Sequence, residues 1–515
     1  ANVIQRMSGV TVERNSSGEG QYAILRGMDK RYNYTLVNGV KIPSPDNKNR
    51  FVPLDIFPSE MLDRLEVTKS LTANMEGDGI GGAVNLIMKD APSERQFTAN
   101  LSTGYNAMYF GRDFQSFNRG GIVKKSPYEA LGKPEDYKVT MEDFTTSNLR
   151  MKWKKPLPDL TAGLSYGDRF FDDKLGVMLA GSFLSTSRGK ESRLYYQPGT
   201  SHNGIEYRNY SSEQTRIGVH AKLDYSLNDN HKLTWYNGYM DMSEAEVRDG
   251  EDEKERAVRM RWNHQYIINS TLKGEHLFLS GGALRLNWSA VLSKAFSETP
   301  DNAEIYLLGS HVSTTDAAKR RWEHNSDKDK AGYVDLAYKL KLDGGAILDF
   351  SAGGMYRDKK RDSFFNEYTF NSATGSKNPQ YINKDWFNFD EIQFVPRPYG
   401  NIGDPLNYDA TEKIGAGYGM VKYTLKEWEL RVEHTNQGYV LKFPRDVDPE
   451  GNQDYTDVLP SFHAKYGIHR NANLRFSYAR AINRPSFFEI VPYSIINEDY
   501  KEKGNPDLKH TVADN

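Results

Sequence analysis

Ile217, Val219, Ala221, Leu223 and Tyr225 alternate with Arg216, Gly218, His220, Lys222 and Asp224. A strict period of two sends the two sets to opposite faces of an extended strand, one oily and one charged. The pattern recurs at Leu284, Leu286, Trp288, Ala290 and Leu292 against Arg285, Asn287 and Ser289, and at Val334, Leu336, Tyr338, Leu340 and Leu342 against Asp335, Lys339 and Lys341. Trp428, Leu430 and Val432 alternate in the same way with Glu429, Arg431 and Glu433. Such strands suit a soluble sandwich with one wet face as well as a barrel in lipid, so the connections have to separate the two.

Short turns rich in Asp, Asn and Gly stand at Phe171 to Lys174, Asn228 to His231, Ser280 to Ala283, Asp343 to Gly345 and Arg470 to Asn473. Long polar segments lie between them, near 189–214, 299–329, 360–410 and 443–457. This regular exchange gathers turns at one end and loops at the other, as in transmembrane β-barrels with short periplasmic turns, whereas a sandwich has no reason to segregate them. About thirteen strands are expected from Gln96 to Ile482, an odd number that leaves the chain on the loop side.

Composition agrees. Gly 43, Tyr 32, Phe 24 and Trp 7 favour strands and tight turns. No stretch approaches the ~20 apolar residues of a membrane helix. A mean hydropathy of -0.72 does not argue against a barrel, which shows lipid only every second residue. Cys 0 removes disulfides and thiolate metal sites, and a net charge of -2 gives no general attraction to nucleic acid. Ala1 to Met7 reads as the end of a helix, and the stretch from Gly504 reads as polar loop without a further strand. Both ends of the natural protein are therefore expected to lie beyond this sequence.

The first ninety residues read differently. Tyr22 to Arg26 is a candidate strand, and Asn38-Gly39 supplies the positive φ angles of a two-residue hairpin. Gly77, Gly79, Gly81 and Gly82 lead directly into the apolar Val84, Leu86 and Ile87. A dinucleotide loop would need a long helix there, so the glycines read as a sharp reversal before a strand.

Leu25 to Met28 (LRGM), Leu36 to Ile42 (LVNGVKI) and residues 58–90 (PSEMLDRLEVTKSLTANMEGDGIGGAVNLIMKD) occur in this order. The run resembles the plug domain of TonB-dependent outer-membrane receptors. The segment from Ser477 to Lys509, with SYARAINRPSFFEIVPY and GNPDLK, resembles a late barrel strand and extracellular loop of the same family. The resemblance implies an all-β membrane protein with a mixed α+β plug at 1–92 in the lumen of a large antiparallel barrel at 93–515. Plugged transporters of this kind have about 22 strands, so roughly nine would follow Asn515.

It also implies binding of an extracellular nutrient and its import, energised by the inner-membrane TonB complex through a segment before Ala1. Outer-membrane lipid is a further partner, and a surface lipoprotein a candidate one. Sensing, adhesion or assembly on the same barrel is the alternative. No cofactor is implied. No Ser-His-Asp arrangement or zinc-ligand spacing suggests an enzyme.

In the family, arginines of two plug motifs pair with acidic groups of the wall. The matching residues are Arg26 and Arg64, with Glu433 a possible partner. Ligand is expected where plug apices meet extracellular loops. The plug candidates are Met28, Asp29, Lys30, Arg31 and Tyr32, within Met28 to Asn33, together with the connection Pro43 to Arg50. The aromatic stretch 360–410 offers Phe364, Phe365, Tyr368, Tyr381, Trp386, Phe387 and Tyr399. Aromatics stack on ligand rings but also pack loops. Deletion of 362–396 is expected to abolish uptake and spare membrane insertion.

Tyr195, Tyr196, Tyr207 and Tyr210 form a second cluster that suits a membrane-interface girdle. Asp446, Asp448, Glu450, Asn452, Asp454 and Asp457 approach calcium-loop spacing, but Asp stands where Glu is usual and strands flank the segment, so a solvated acidic loop is the expectation.

Overall fold

The structure is a computed structural model. It describes the chain except residues 1, 16–17, 19, 47, 49, 134–136, 196–203, 309–310, 313–314, 373–385, 389–392, 402–403, 426–427, 443–451, 470, 492 and 497–500. Backbone alone is described at 2–3, 308, 311–312, 386–388, 428–442, 452, 494–496 and 501.

A four-stranded sheet forms the centre of the N-terminal unit. Asn33–Val37 turns through Asn38 (φ 50) and Gly39 (φ 81) into Val40–Lys41, as the Asn-Gly pair requires. Gly82–Met88 runs parallel to Asn33–Val37 and antiparallel to Leu62–Thr68, which makes the sheet mixed as expected. Gly82 has φ +131, and a Cβ there would lie 2.3 Å from the Thr68 carbonyl oxygen, so only glycine fits this reversal. The hairpin Val10–Arg14 and Gly20–Leu25 packs alongside, and Asn2–Arg6 is a 3-10 turn.

The remainder builds a sixteen-stranded antiparallel sheet. Thirteen of its strands follow one another in register from Gln96–Gly104 to Ala472–Asn483, matching the expected number. The stretch read as terminal loop contains one more strand, since Thr511–Asp514 pairs with Arg480–Asn483. Four residues flanked by Lys, His and Asn were too short to show alternation.

The alternating faces lie as the sequence predicts. Val219, Leu292, Val334 and Leu336 are exposed outward, whereas His220, Lys222 and Asp224 are buried inward. Inward residues meet the N-terminal unit. Met178, Ala180, Tyr236, Met240, Met242, Ile267 and Ala295 of the sheet share one core with Ile56, Met61, Val84 and Leu86. The inner wall is thus not uniformly polar, because it turns greasy where the N-terminal unit docks.

Of the four segments read as long loops, 189–214 and 299–329 are strand over most of their described residues, and 360–410 continues a strand as far as Ser372. Leu175–Tyr195, Ile205–Asn228, Leu284–Leu308, Ala318–Lys341 and Ile347–Ser372 have 21, 24, 25, 24 and 26 residues. Crossing lipid takes only about 9–11, so the strands project well beyond the apolar band. One face there is polar, with ion pairs across strands such as Arg248–Glu304 (2.5 Å) and Arg321–Glu367 (2.5 Å), and the other is covered by residues 105–158 instead of lipid. That is why the period of two fades. Residues 362–372 are wall, and a deletion of 362–396 would cut a strand rather than trim a loop.

A segment that the sequence did not mark as distinctive packs against the upper part of the wall, on the face opposite the one that meets the plug. Residues 105–158, between Gln96–Gly104 and Asp159–Phe170, bring Phe117, Val139, Phe144, Leu149 and Met151 onto the wall residues Val247, Val258, Met260, Ile305 and Trp322. Trp322 donates through its indole N–H to the Val123 carbonyl at 2.9 Å. Arg320 joins Asp301 and Asn148 in a buried polar knot beneath the same insert.

Candidate functional site

Two plug turns and one late loop enclose a cavity of about 440 Å3 at the loop end of the sheet. The first turn leaves Gly20–Leu25 through Arg26 (φ 55) and Gly27 (φ 73), and Asp29 then caps Lys30–Tyr32 by accepting from the Arg31 N–H at 3.0 Å. Asp29, Lys30 and Arg31 line the cavity. Met28 and Tyr32 pack instead against the cluster of Tyr34, Leu71, Ile80 and Ala481. Lys30 lies over the rings of Tyr22 (4.8 Å) and Phe51 (5.4 Å), which stand edge to face.

The second turn contributes Lys48 and Arg50. Facing both is the connection after Ala472–Asn483, where a Ser486/Glu489 capping box starts the helical turn Phe487–Ile490. It supplies Arg484, Phe488, Glu489, Tyr493, Glu502 and Lys503. Six cations thus line the cavity, namely Lys30, Arg31, Lys48, Arg50, Arg484 and Lys503, against the carboxylates Asp29, Glu489 and Glu502. Sequence reasoning named this segment for its family likeness but not as a site. The available signal was SFFEIVPY, an aromatic run that holds Glu489 and follows Arg484.

Beneath the cavity lies a buried ion cluster. Asp78 binds Lys41 at 2.7 Å, faces Arg484 at 3.5 Å and Arg50 at 3.7 Å, and accepts from the Arg484 backbone N–H at 3.1 Å. Arg50 also pairs with Glu412 at 2.8 Å, and Glu76 with Arg357 at 2.6 Å. Burial pushes the Asp78 carboxyl up, but Lys41, Arg50 and Arg484 together outweigh it and hold the group well below the usual carboxylate range. Burial likewise raises Glu76, and Arg357 and Lys41 bring it below its ordinary value.

The expected plug–wall arginines behave otherwise. Arg26 donates to Ser70, and Arg64 pairs with the plug's own Asp63 and Glu66, both at 2.8 Å. Among the described residues neither reaches a carboxylate of the sheet, because both project from the plug into open surroundings. The Glu433 side chain lies outside the described residues. Among the described residues, the ion pairs that join the plug to the rest of the chain include those of Asp78, Glu76 and Arg50, with Lys222–Asp90, Arg31–Glu489 and Lys48–Glu502.

The aromatic candidates scatter. Phe364 and Tyr368 are buried beneath the 105–158 insert, where Phe364 stacks on His324 and Tyr368 meets Phe144 edge to face. Phe365 belongs to the core under the late loop. Tyr399 is exposed, with Lys138 over its ring at 6.0 Å. Trp386 and Phe387 form a short strand against Lys152 and Met151, and Tyr381 lies outside the described residues. Tyr195 and Tyr207 are exposed on adjoining strands, as a girdle or a wet surface allows.

Asp446, Asp448 and Glu450 also lie outside the described residues, and Asn452 is placed by backbone only. Asp454 and Asp457 fall in the strand Asn452–His469 rather than in a loop, and His510 bonds Asp457 at 2.9 Å. Among the described residues no group of three His, Asp or Glu side chains has the geometry to hold a metal.

Residues 1–83 match the TonB-dependent Receptor Plug Domain, and residues 285–515 match the Outer membrane protein beta-barrel family. The vitamin B12 transporter BtuB of Photobacterium profundum is 22% identical over 317 residues, which are 60% of this chain and 47% of the relative. The unliganded ferric citrate transporter FecA superposes with a TM-score of 0.58 at 12% identity, covering 94% of this chain and 60% of that one. The ferripyoverdine receptor of Pseudomonas aeruginosa, bound to ferripyoverdine, gives 0.57 at 12% identity over 94% of this chain and 54% of its own. The chain thus spans about half the length of the curated relative. With the plug docked on the inward face of an outward-greasy sheet, this chain belongs to the TonB-dependent receptors of the Gram-negative outer membrane.

Proposed function

We propose that the protein binds a nutrient at its extracellular face and imports it into the periplasm, driven by TonB acting on a segment that precedes the plug. The observation that carries this reading is the position of the cavity. It opens at the loop end and is floored by the plug, so a bound molecule would face the outside with the plug across its way inward. The wall surface there is polar and charged, suited to a hydrated ligand held by several weak contacts rather than to a lipid. The relatives named above carry vitamin B12 and ferric citrate, and their diversity leaves the cargo of this chain to experiment.

The test is growth and uptake of a deletion strain across an array of iron and carbon sources. Loss of one nutrient, restored by the intact gene and abolished again when the proton gradient is collapsed, is the expected result. Uptake of every nutrient at the parental rate by the deletion strain would overturn the proposal.

A further inference from the structure

A second cavity, of about 380 Å3, lies between plug and wall on the turn side of the buried ion cluster. It is lined by Lys41 and Glu76 from the plug and by Lys273, Glu275, Ser289 and Asp335 from the wall. Glu275 is three residues from the end of its strand at Phe278, whereas Asn483, in the outer cavity, closes the loop-side end of Ala472–Asn483. The two cavities therefore sit at different heights in the lumen. Between them stands the single cluster of Asp78, in contact with Arg50 and Arg484, which line the outer cavity, and with Lys41, which lines the inner one.

We infer that this cluster is a charged partition between two preformed cavities, opened when an anionic group of the ligand in the outer cavity takes Arg50 and Arg484 from Asp78. The inference rests on the import reading for its ligand, but the partition itself does not need transport to be observed.

Charge favours an anion. The carboxylates that balance the arginines, Asp78 and Glu412, lie behind them, away from the outer cavity, so its surface is left with twice as many cations as carboxylates. A polycarboxylate or phosphate entering there meets the partly exposed Arg50 guanidinium first, with Arg484 buried beside it, and either fork can give such an anion two parallel hydrogen bonds once turned outward. It competes directly with Asp78, whose hold on them is by charge at 3.5–3.7 Å rather than by close pairing. Once they turn outward, Asp78 keeps Lys41 and the Arg484 backbone N–H, and the segment carrying Glu76 and Asp78 loses part of its anchorage to the wall.

This chain contains no cysteine, so a thiol at Ser289→Cys in a receptor otherwise free of cysteine reports access to the inner cavity. The full-length receptor in intact cells is treated with a bulky membrane-impermeant maleimide. Asn505→Cys, in the outer cavity, serves as the accessible control. Asp78→Asn should speed labelling at Ser289→Cys by about tenfold or more, since weakening one member of a buried ion cluster is worth at least one such factor. Lys41→Met should act in the same direction if Asp78→Asn fails to assemble.

With Asp78 intact, citrate or pyrophosphate should speed the same labelling several-fold and choline should not. Unchanged labelling in both assembled variants would overturn the partition. Acceleration by choline, or none by either anion, would overturn the assignment of ligand charge. Labelling as expected in a receptor that supports no nutrient uptake would overturn the import reading and leave the partition standing.

Discussion

Replacing Glu76 by alanine removes the acceptor for two wall groups, the Arg357 guanidinium at 2.6 Å and the Tyr333 hydroxyl at 2.9 Å. Both side chains of the ion pair are almost fully buried, at 5% and 3% exposure. Breaking such a pair from one side costs about 3–5 kcal/mol, because the remaining charge stays desolvated. Arg357 keeps Asp329 at 3.2 Å, which places the expected cost near the lower end, about 3 kcal/mol. The effect should be local, since the greasy side of the plug core is untouched.

Amide hydrogen exchange reads it directly. The amides between Gly77 and Gly82 open with the segment that carries Glu76, and about 3 kcal/mol corresponds to about a hundredfold loss of protection. The double substitution Glu76→Gln with Arg357→Met should recover only part of it, because the uncompensated guanidinium is gone but the buried Asp329 loses its Arg357 partner. Exchange in Glu76→Ala equal to that of the parent protein would refute the claim that this pair anchors the plug to the wall.

Acid should loosen the same segment. Asp78 and Glu76 are both held below their ordinary values, so they contribute stability in full above about pH 5, and it declines as pH falls below the unfolded values near 4 and through the folded ones. Protection of Gly77–Gly82 measured from pH 7 to pH 3 should be flat and then fall, and a fall beginning above pH 6 would contradict the assignment. Leu336→Arg, on the outward face, should destabilise the inserted barrel by about 2–4 kcal/mol in bilayers, as read by urea unfolding, and no change would argue against lipid contact there. Trp322→Ala should cost about 3–5 kcal/mol by opening the core beneath the 105–158 insert, as read by faster protease cleavage within the insert and not within the plug.

The lower half of the wall was legible because its two faces meet different solvents, lipid and a wet lumen, and alternation records that difference residue by residue. The upper half was not. There Arg248 reaches Glu304 two strands away and Arg321 pairs with Glu367 on the next strand, residues 105–158 replace lipid on the other face, and a strand reads like a loop. Phe364, Phe365 and Tyr368 misled for a related reason. An aromatic run in polar company suggests a binding loop, yet its partners are Phe144 and the late loop, more than a hundred positions away in sequence. The hairpin at Asn38-Gly39 and the reversal at Gly82 were legible because each depends on the φ angle of one residue. The Asp78 cluster was invisible for the opposite reason, since its bond to Arg484 joins positions 406 residues apart.

The plug is held on its two sides by different physics. Toward Met178, Met240, Met242 and Ile267 it presents Ile56, Met61, Val84 and Leu86, a contact without direction whose strength follows buried area and which soft methionine side chains tolerate when it shifts. Toward Glu412, Arg357 and Arg484 it presents Arg50, Glu76 and Asp78, contacts that are strong only at the right distance and vanish when a competing charge or water enters. A force on the plug therefore meets one side that slides and another that lets go all at once. On the import reading proposed above, a plug that must stay seated and still yield to a pull is better served by this asymmetry than by a uniform interface, because the sealing area can persist while a few charge pairs set when it opens.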